Sequence, residues 1–138
     1  MADVWAVTSA HSYISLKYED ERDWFYIKWN GHINSDDVIA TAKYYLQQQE
    51  ERRCPKLLSD KSEVTGEWEE ANDWLQYEWM PQVEQTGLKY LAMVLSRDMH
   101  DLSTAQDLKR RISPACKVAL FYDIASAIRW LSAPEPSK

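Results

Sequence analysis

Glycine is scarce: the 138 residues hold three, Gly31, Gly66 and Gly87, each alone in its segment. A dinucleotide-binding turn or a P-loop needs at least two glycines within one turn, so nucleotide enzymes of those two kinds are excluded. Basic charge is also short, with 16 Lys and Arg against 22 Asp and Glu, a net charge of −6 and an isoelectric point near 5.0. Nucleic-acid backbones are held by clustered cations, so nucleic acid is not an expected partner. Cys54 and Cys116 are too few and too distant for a metal knuckle, and His11, His32 and His100 lie on separate segments without zinc-site spacing. No metal and no other cofactor is expected. No apolar run approaches the ~20 residues that cross a bilayer, and Asp3 stands where a signal peptide carries positive charge, so a soluble, cytoplasmic protein without a membrane span is expected.

Aromatic residues are plentiful by contrast, with seven Trp and eight Tyr. The length supports one domain, residues 1–132, followed by a disordered tail over 133–138 that contains two prolines. Ser12 to Glu19 and Asp23 to Asn30 alternate between apolar and polar faces and predict a hairpin across Asp20-Glu21-Arg22. Trp5 to Thr8 either adds a short strand or covers the sheet edge. From Ser35 the period becomes helical: Val38, Ala42, Tyr45 and Gln49 mark one face of a helix capped by Ser35 and stopped by Pro55.

A short strand follows at Leu57 to Asp60, then a helix from near Gly66 with its face set by Trp68, Ala71, Leu75 and Trp79. Pro81 removes a backbone donor and predicts a kink or break near Met80. Lys89 to Ser96 is apolar on both faces, as a doubly covered central strand is. A helix capped by Ser103, a strand over Lys117 to Tyr122 and a helix carrying Ile124, Ala127 and Leu131 complete the chain. This alternation predicts an α/β fold: a mostly parallel sheet of about five strands, with an antiparallel edge strand from the N-terminal hairpin, and four helices. Cys54 and Cys116 then precede strands two spacings apart, roughly 10 Å, too far for a disulfide.

The stretches Lys28-Trp29-Asn30-Gly31, Leu58-Ser59-Asp60, Gly66-Glu67-Trp68, Asp73-Trp74, Glu78-Trp79-Met80-Pro81 and Gly87-Leu88-Lys89-Tyr90 resemble the STAS-domain family of bacterial anti-sigma-factor antagonists. They look closest to an uncharacterised bacterial branch also grouped with the CRAL-TRIO lipid-carrier fold. The resemblance spans about Ser12 to Leu131. It implies a superhelix of strand-helix units and a recognition surface after the Asp60 strand, carrying in true antagonists a phosphorylatable Ser in an Asp-Ser-Ser-Gly turn. That turn is absent here: Ser62 and Thr65 are the hydroxyls of the region, and Glu63 and Glu67 would repel an added phosphate.

Parallel sheets gather ligands at the carboxyl ends of their strands. Here those ends suggest a polar mouth in which Lys61 and Arg97 hold an anionic head group while Asp60 and His32 orient them. The plainer reading is that Ser, Asp and Asn collect there to cap helices. A triad of Ser62 or Ser96 with His32 and Asp60 lacks the Gly-x-Ser-x-Gly elbow, so no catalytic residue is expected. Trp68 and Trp79 either pack as core or, with Met80, wall a cavity opened by Pro81 that suits a small apolar or amphipathic ligand. Trp74, Tyr77 or Trp130 would serve a homodimer. The expectation is a non-enzymatic recognition domain whose partner is a protein bound over Asp60 to Trp68, or alternatively a lipid-like ligand; a small hydrolase is the third reading.

Overall fold

β2 (Ser12–Glu19) and β3 (Trp24–His32) form the expected hairpin, with Ile14 opposite Trp29 and Leu16 opposite Ile27. The computed structural model describes residues 4–8, 11–112 and 114–133; the predicted tail from Pro134 onward lies outside them. β1 (Val4–Thr8) pairs antiparallel with β2, so this segment is a sixth strand. The strands follow chain order across the sheet, and β3 to β6 run parallel. The fold is therefore α/β with a mixed sheet.

α1 (Ser35–Arg52) is capped one residue earlier than Ser35. The Asn34 side chain accepts from Asp37 N at 2.9 Å and the Asp37 carboxylate accepts from Asn34 N at 3.2 Å, so two otherwise orphaned donors are satisfied reciprocally. At its other end the buried Gln49 amide accepts from Cys54 N and donates to Cys54 O, closing the turn before Pro55.

β4 (Lys56–Thr65) is ten residues long, well beyond the expected end at Asp60. Its ladder with β5 (Tyr90–Val94) stops at Asp60, but its ladder with β3 continues through His32 opposite Thr65. The next helix starts at Ala71, not Gly66, because Gly66 (φ +108°) packs against the Ile33 carbonyl at the strand end. Trp68 thus lies in the turn before the helix instead of on its face. α2 (Ala71–Trp74), a π-helical turn (Leu75–Trp79) and α3 (Met80–Gln85) form one continuous rod. Instead of the break expected near Met80 there is this π turn, in which Met80 N donates to Leu75 O; the wider turn accommodates the missing proline donor without interrupting the helix.

α4 (Met99–Arg111) begins four residues before the expected Ser103 cap. Ser96 Oγ accepts from Asp98 N at 3.2 Å and starts the turn earlier. β6 (Lys117–Phe121) and α5 (Ile124–Ser132) follow, with Asp123 capping α5 through Ser126 N at 2.8 Å. α1, the π turn and α4 cover the sheet face that carries Ile27, Leu57, Leu91 and Met93. α5 covers the opposite face of β4 to β6, its Trp130 ring meeting Tyr90 and Phe121. Cys54 and Cys116, both buried and unpaired, stand before β4 and β6 with β5 between them.

Candidate functional site

Two irregular elements meet at one place. Between the pairs Lys28–Asp60 and Asn30–Glu63, β4 carries one residue more than β3, so Lys61 and Ser62 together oppose Trp29. Through this point β4 keeps the ordinary alternation of a strand, with Leu57, Ser59 and Lys61 on the helix-covered face. Asp60 and Ser62 turn to the outer sheet face, and Lys61 points under the helices. Facing it across the layer is the π turn, which presents Leu75 and Trp79. Between them lies a cavity of about 50 Å³, walled by Trp29, Lys61, Trp68, Leu75, Trp79, Met93 and their neighbours.

Lys61 is 3% exposed. Its Nζ sits 3.3 Å from the centroid of the Trp68 ring and 4.9 Å from that of Trp29, so two indole faces receive the ammonium. Among the described residues no oxygen accepts a hydrogen bond from it. Desolvation by burial brings its pKa from the ordinary 10.5 down to about 8, while the negative charge of Asp101 acts in the opposite sense. The indoles themselves are fixed by their N–H groups. Trp68 Nε1 donates to Asp101 at 2.9 Å, Trp29 Nε1 to Ser59 Oγ at 3.0 Å, and Trp79 Nε1 to the Ala42 carbonyl at 3.0 Å. Asp101, 1% exposed, also accepts from Ser96 N at 3.0 Å, which ties the Trp68 roof to the end of β5.

A second cluster occupies the outer face of β3 and β4. Asp60 accepts from Tyr26 OH at 2.9 Å, Lys28 Nζ at 3.2 Å, Ser62 N at 3.0 Å and Ser62 Oγ at 2.7 Å. Burial pushes its carboxyl up, but the Ser62 and Tyr26 hydrogen bonds and the Lys28 charge outweigh that and hold it below the usual carboxylate range. At the strand ends lies a groove of about 550 Å³ formed by His32, Ile33, Asn34, Thr65, Gly66, Glu67 and Asp98. An adjoining pocket of about 250 Å³ adds Asp36, Glu69 and Glu70.

Of the eight candidate site residues, seven fall into three separate groups. Lys61, Trp68 and Trp79 line the cavity; Asp60 and Ser62 belong to the outer cluster; His32 and Thr65, joined by a 3.0 Å contact from Nδ1 to Oγ1, sit at the groove. Arg97 is exposed in the turn after β5 and lines none of these. The polar mouth with Lys61 beside Arg97 is not formed, because β4 continues to Thr65 and carries Lys61 inward under Trp68. The Ser-His-Asp triad is not assembled either: Ser62 serves Asp60, His32 serves Thr65, and Ser96 donates to Asp101. Trp29, Asp101, Tyr26 and Lys28 were not among the expected site residues. Alternation along β3 places Trp29 inward and Tyr26 and Lys28 outward, but no local pattern brings Asp101 to Trp68 across 33 positions. Of the aromatics considered for a dimer, Trp130 packs on Tyr90 and Phe121, Trp74 is half-buried beside Lys43, and Tyr77 is exposed.

No protein-family model matches the chain, and the curated proteins contain no match. Among the described residues no helix is long and apolar enough to cross a membrane, and no group of three or more His, Cys, Asp or Glu is placed to hold a metal ion.

Proposed function

We propose that this chain is a non-catalytic recognition domain of the STAS-like kind, working through the strand-end surface between His32 and Glu70 and binding a basic segment of a protein partner. The observation that carries this reading is the continuous groove and side pocket at the carboxyl ends of β3 and β4. Asp36, Glu67, Glu69, Glu70 and Asp98 line it, and among the described residues no Lys or Arg does. A surface of one sign steers and selects a partner of the other, more through encounter rate and specificity than through raw affinity. The rigid frame behind it is supplied by the Asn34 cap and the close contact of Gly66 with Ile33.

The test is fluorescence anisotropy with a set of labelled peptides that vary in Lys and Arg content. Basic peptides are expected to bind, to weaken as salt is raised, and to be lost in the double variant Glu67→Lys, Glu70→Lys. Binding indifferent to both salt and charge reversal would overturn the reading. A second reading, carriage of a small amphipathic ligand, is favoured by the Lys61 cavity. At about 50 Å³, however, this space is far below the roughly 300 Å³ at which drug-sized ligand sites begin, so an acyl chain does not fit beneath Trp68 in this conformation.

A further inference from the structure

A buried ammonium without a counter-ion in contact is costly, and proteins usually pair it or leave it neutral. Lys61 is neither paired nor hydrogen-bonded among the described residues, it is almost wholly buried, and the space it faces is otherwise apolar. The β-bulge beside it and the π turn in the helix opposite both border the same cavity. Irregularities of these two kinds recur beside functional sites. An amine so placed has two properties that an exposed lysine lacks. It is largely shielded from water, and the carboxylate of Asp101 and the faces of Trp29 and Trp68 can stabilise a cation at the same point without solvating it away.

We propose that Lys61 captures a small aldehyde or ketone reversibly, as an iminium held between Trp29 and Trp68. The neutral amine attacks the carbonyl carbon, forming the C–N bond and a carbinolamine. The carbonyl oxygen then takes up a proton and leaves as water. Starting from the ammonium, the net change is Lys61 ammonium plus carbonyl to Lys61 iminium plus water, so one positive charge is retained and no oxidant or reductant is consumed. Size sets the ligand class. The cavity is about 50 Å³, a third of the roughly 150 Å³ in which an engineered apolar cavity takes up benzene, so the carbonyl compound has roughly two or three non-hydrogen atoms beyond the nitrogen. Burial favours the reactive form as well, since a pKa of about 8 leaves far more free amine near neutral pH than an exposed lysine has.

The experiment treats the full chain near neutral pH with a single equivalent of acetaldehyde and cyanoborohydride, which reduces the iminium to a stable ethyl amine. Peptide mass spectrometry then locates the ethyl group. The expected result is labelling of Lys61 at least about tenfold above the exposed Lys43, Lys89 and Lys109, with benzaldehyde, too large for the cavity, sparing Lys61. Acetaldehyde labelling spread over the exposed lysines with Lys61 bare would overturn the proposal. In Lys61→Met the label should vanish from that peptide; if this variant does not fold, the map on the unaltered chain decides. The double reversal Glu67→Lys, Glu70→Lys should leave Lys61 labelling unchanged, so the partner groove and the covalent site fail or survive separately.

Discussion

A lysine held against two indole faces weakens the fold at neutral pH. In the unfolded chain Lys61 keeps the ordinary value of 10.5, whereas in the folded chain burial lowers it to about 8. Below the lower value both states are protonated and the whole penalty is present. Between the two values the unfolded state binds more protons, so stability rises with pH at about 1.4 kcal/mol per unit before levelling off. The expected outcome is that the stability of the natural chain relative to Lys61→Met improves by roughly 3 kcal/mol from neutral pH to the upper value. Urea unfolding of both proteins across that range checks it, and a flat difference would place the amine in water. Comparison with the variant is needed because Cys116, raised by burial to about 12, and Cys54, also raised, make stability fall above their ordinary 9.0. Lys61 was recognisable from the sequence as a candidate, but its environment was not. A lysine at a presumed strand end reads as a solvated cation; because β4 continues past Asp60, Lys61 follows Leu57 and Ser59 onto the helix-covered face, where Trp68 closes over it.

The elements differ in how openly the chain announces them. Alternation over Ser12 to Glu19 and the helical period from Ser35 are local, so the hairpin and α1 were legible to within a residue or two. Pro81 announces an irregular helix because its missing donor is a property of the residue itself, but not its form, a π turn within a continuous rod where a kink or break was expected. The last five residues of β4 were not legible. Ser62, Glu63 and Thr65 read as loop, and they are strand only because β3 is long enough to continue the ladder. The end of that ladder supplies a test. An alanine Cβ at Gly66 would lie 2.1 Å from the Ile33 carbonyl oxygen, while at Gly87 the nearest atom outside the adjoining residues is 4.0 Å away; both have positive φ. Gly87→Ala therefore carries backbone strain alone, and Gly66→Ala carries strain plus a backbone clash. The expected loss for Gly66→Ala is at least about 2 kcal/mol and clearly exceeds that for Gly87→Ala, measured from their urea midpoints. Equal losses would mean that β3 and the turn yield freely.

At the scale of the whole molecule, both thiols lie inside the core at the end of the sheet opposite the groove, before β4 and β6. Burial raises both and keeps them as thiols, the less reactive form. Neither is expected to react with an aromatic disulfide reagent until the domain opens, and the rate should follow global unfolding as denaturant is added. Fast labelling of either cysteine in the native protein would show local opening of that end of the sheet. The amino-acid order by itself determined the alternation of strands and helices, the hairpin, the α/β class, the separation of the cysteines and the shortage of cations, since periodicity, proline, glycine and charge act over a few neighbours. Tertiary structure decided which polar groups meet. Asp60 joins Tyr26 and Lys28 from another strand, Trp68 reaches Asp101, and the cavity exists only where the β4 bulge faces the π turn. Those contacts depend on register between strands and on the fit of a helix over a sheet, and neither is encoded within any one segment.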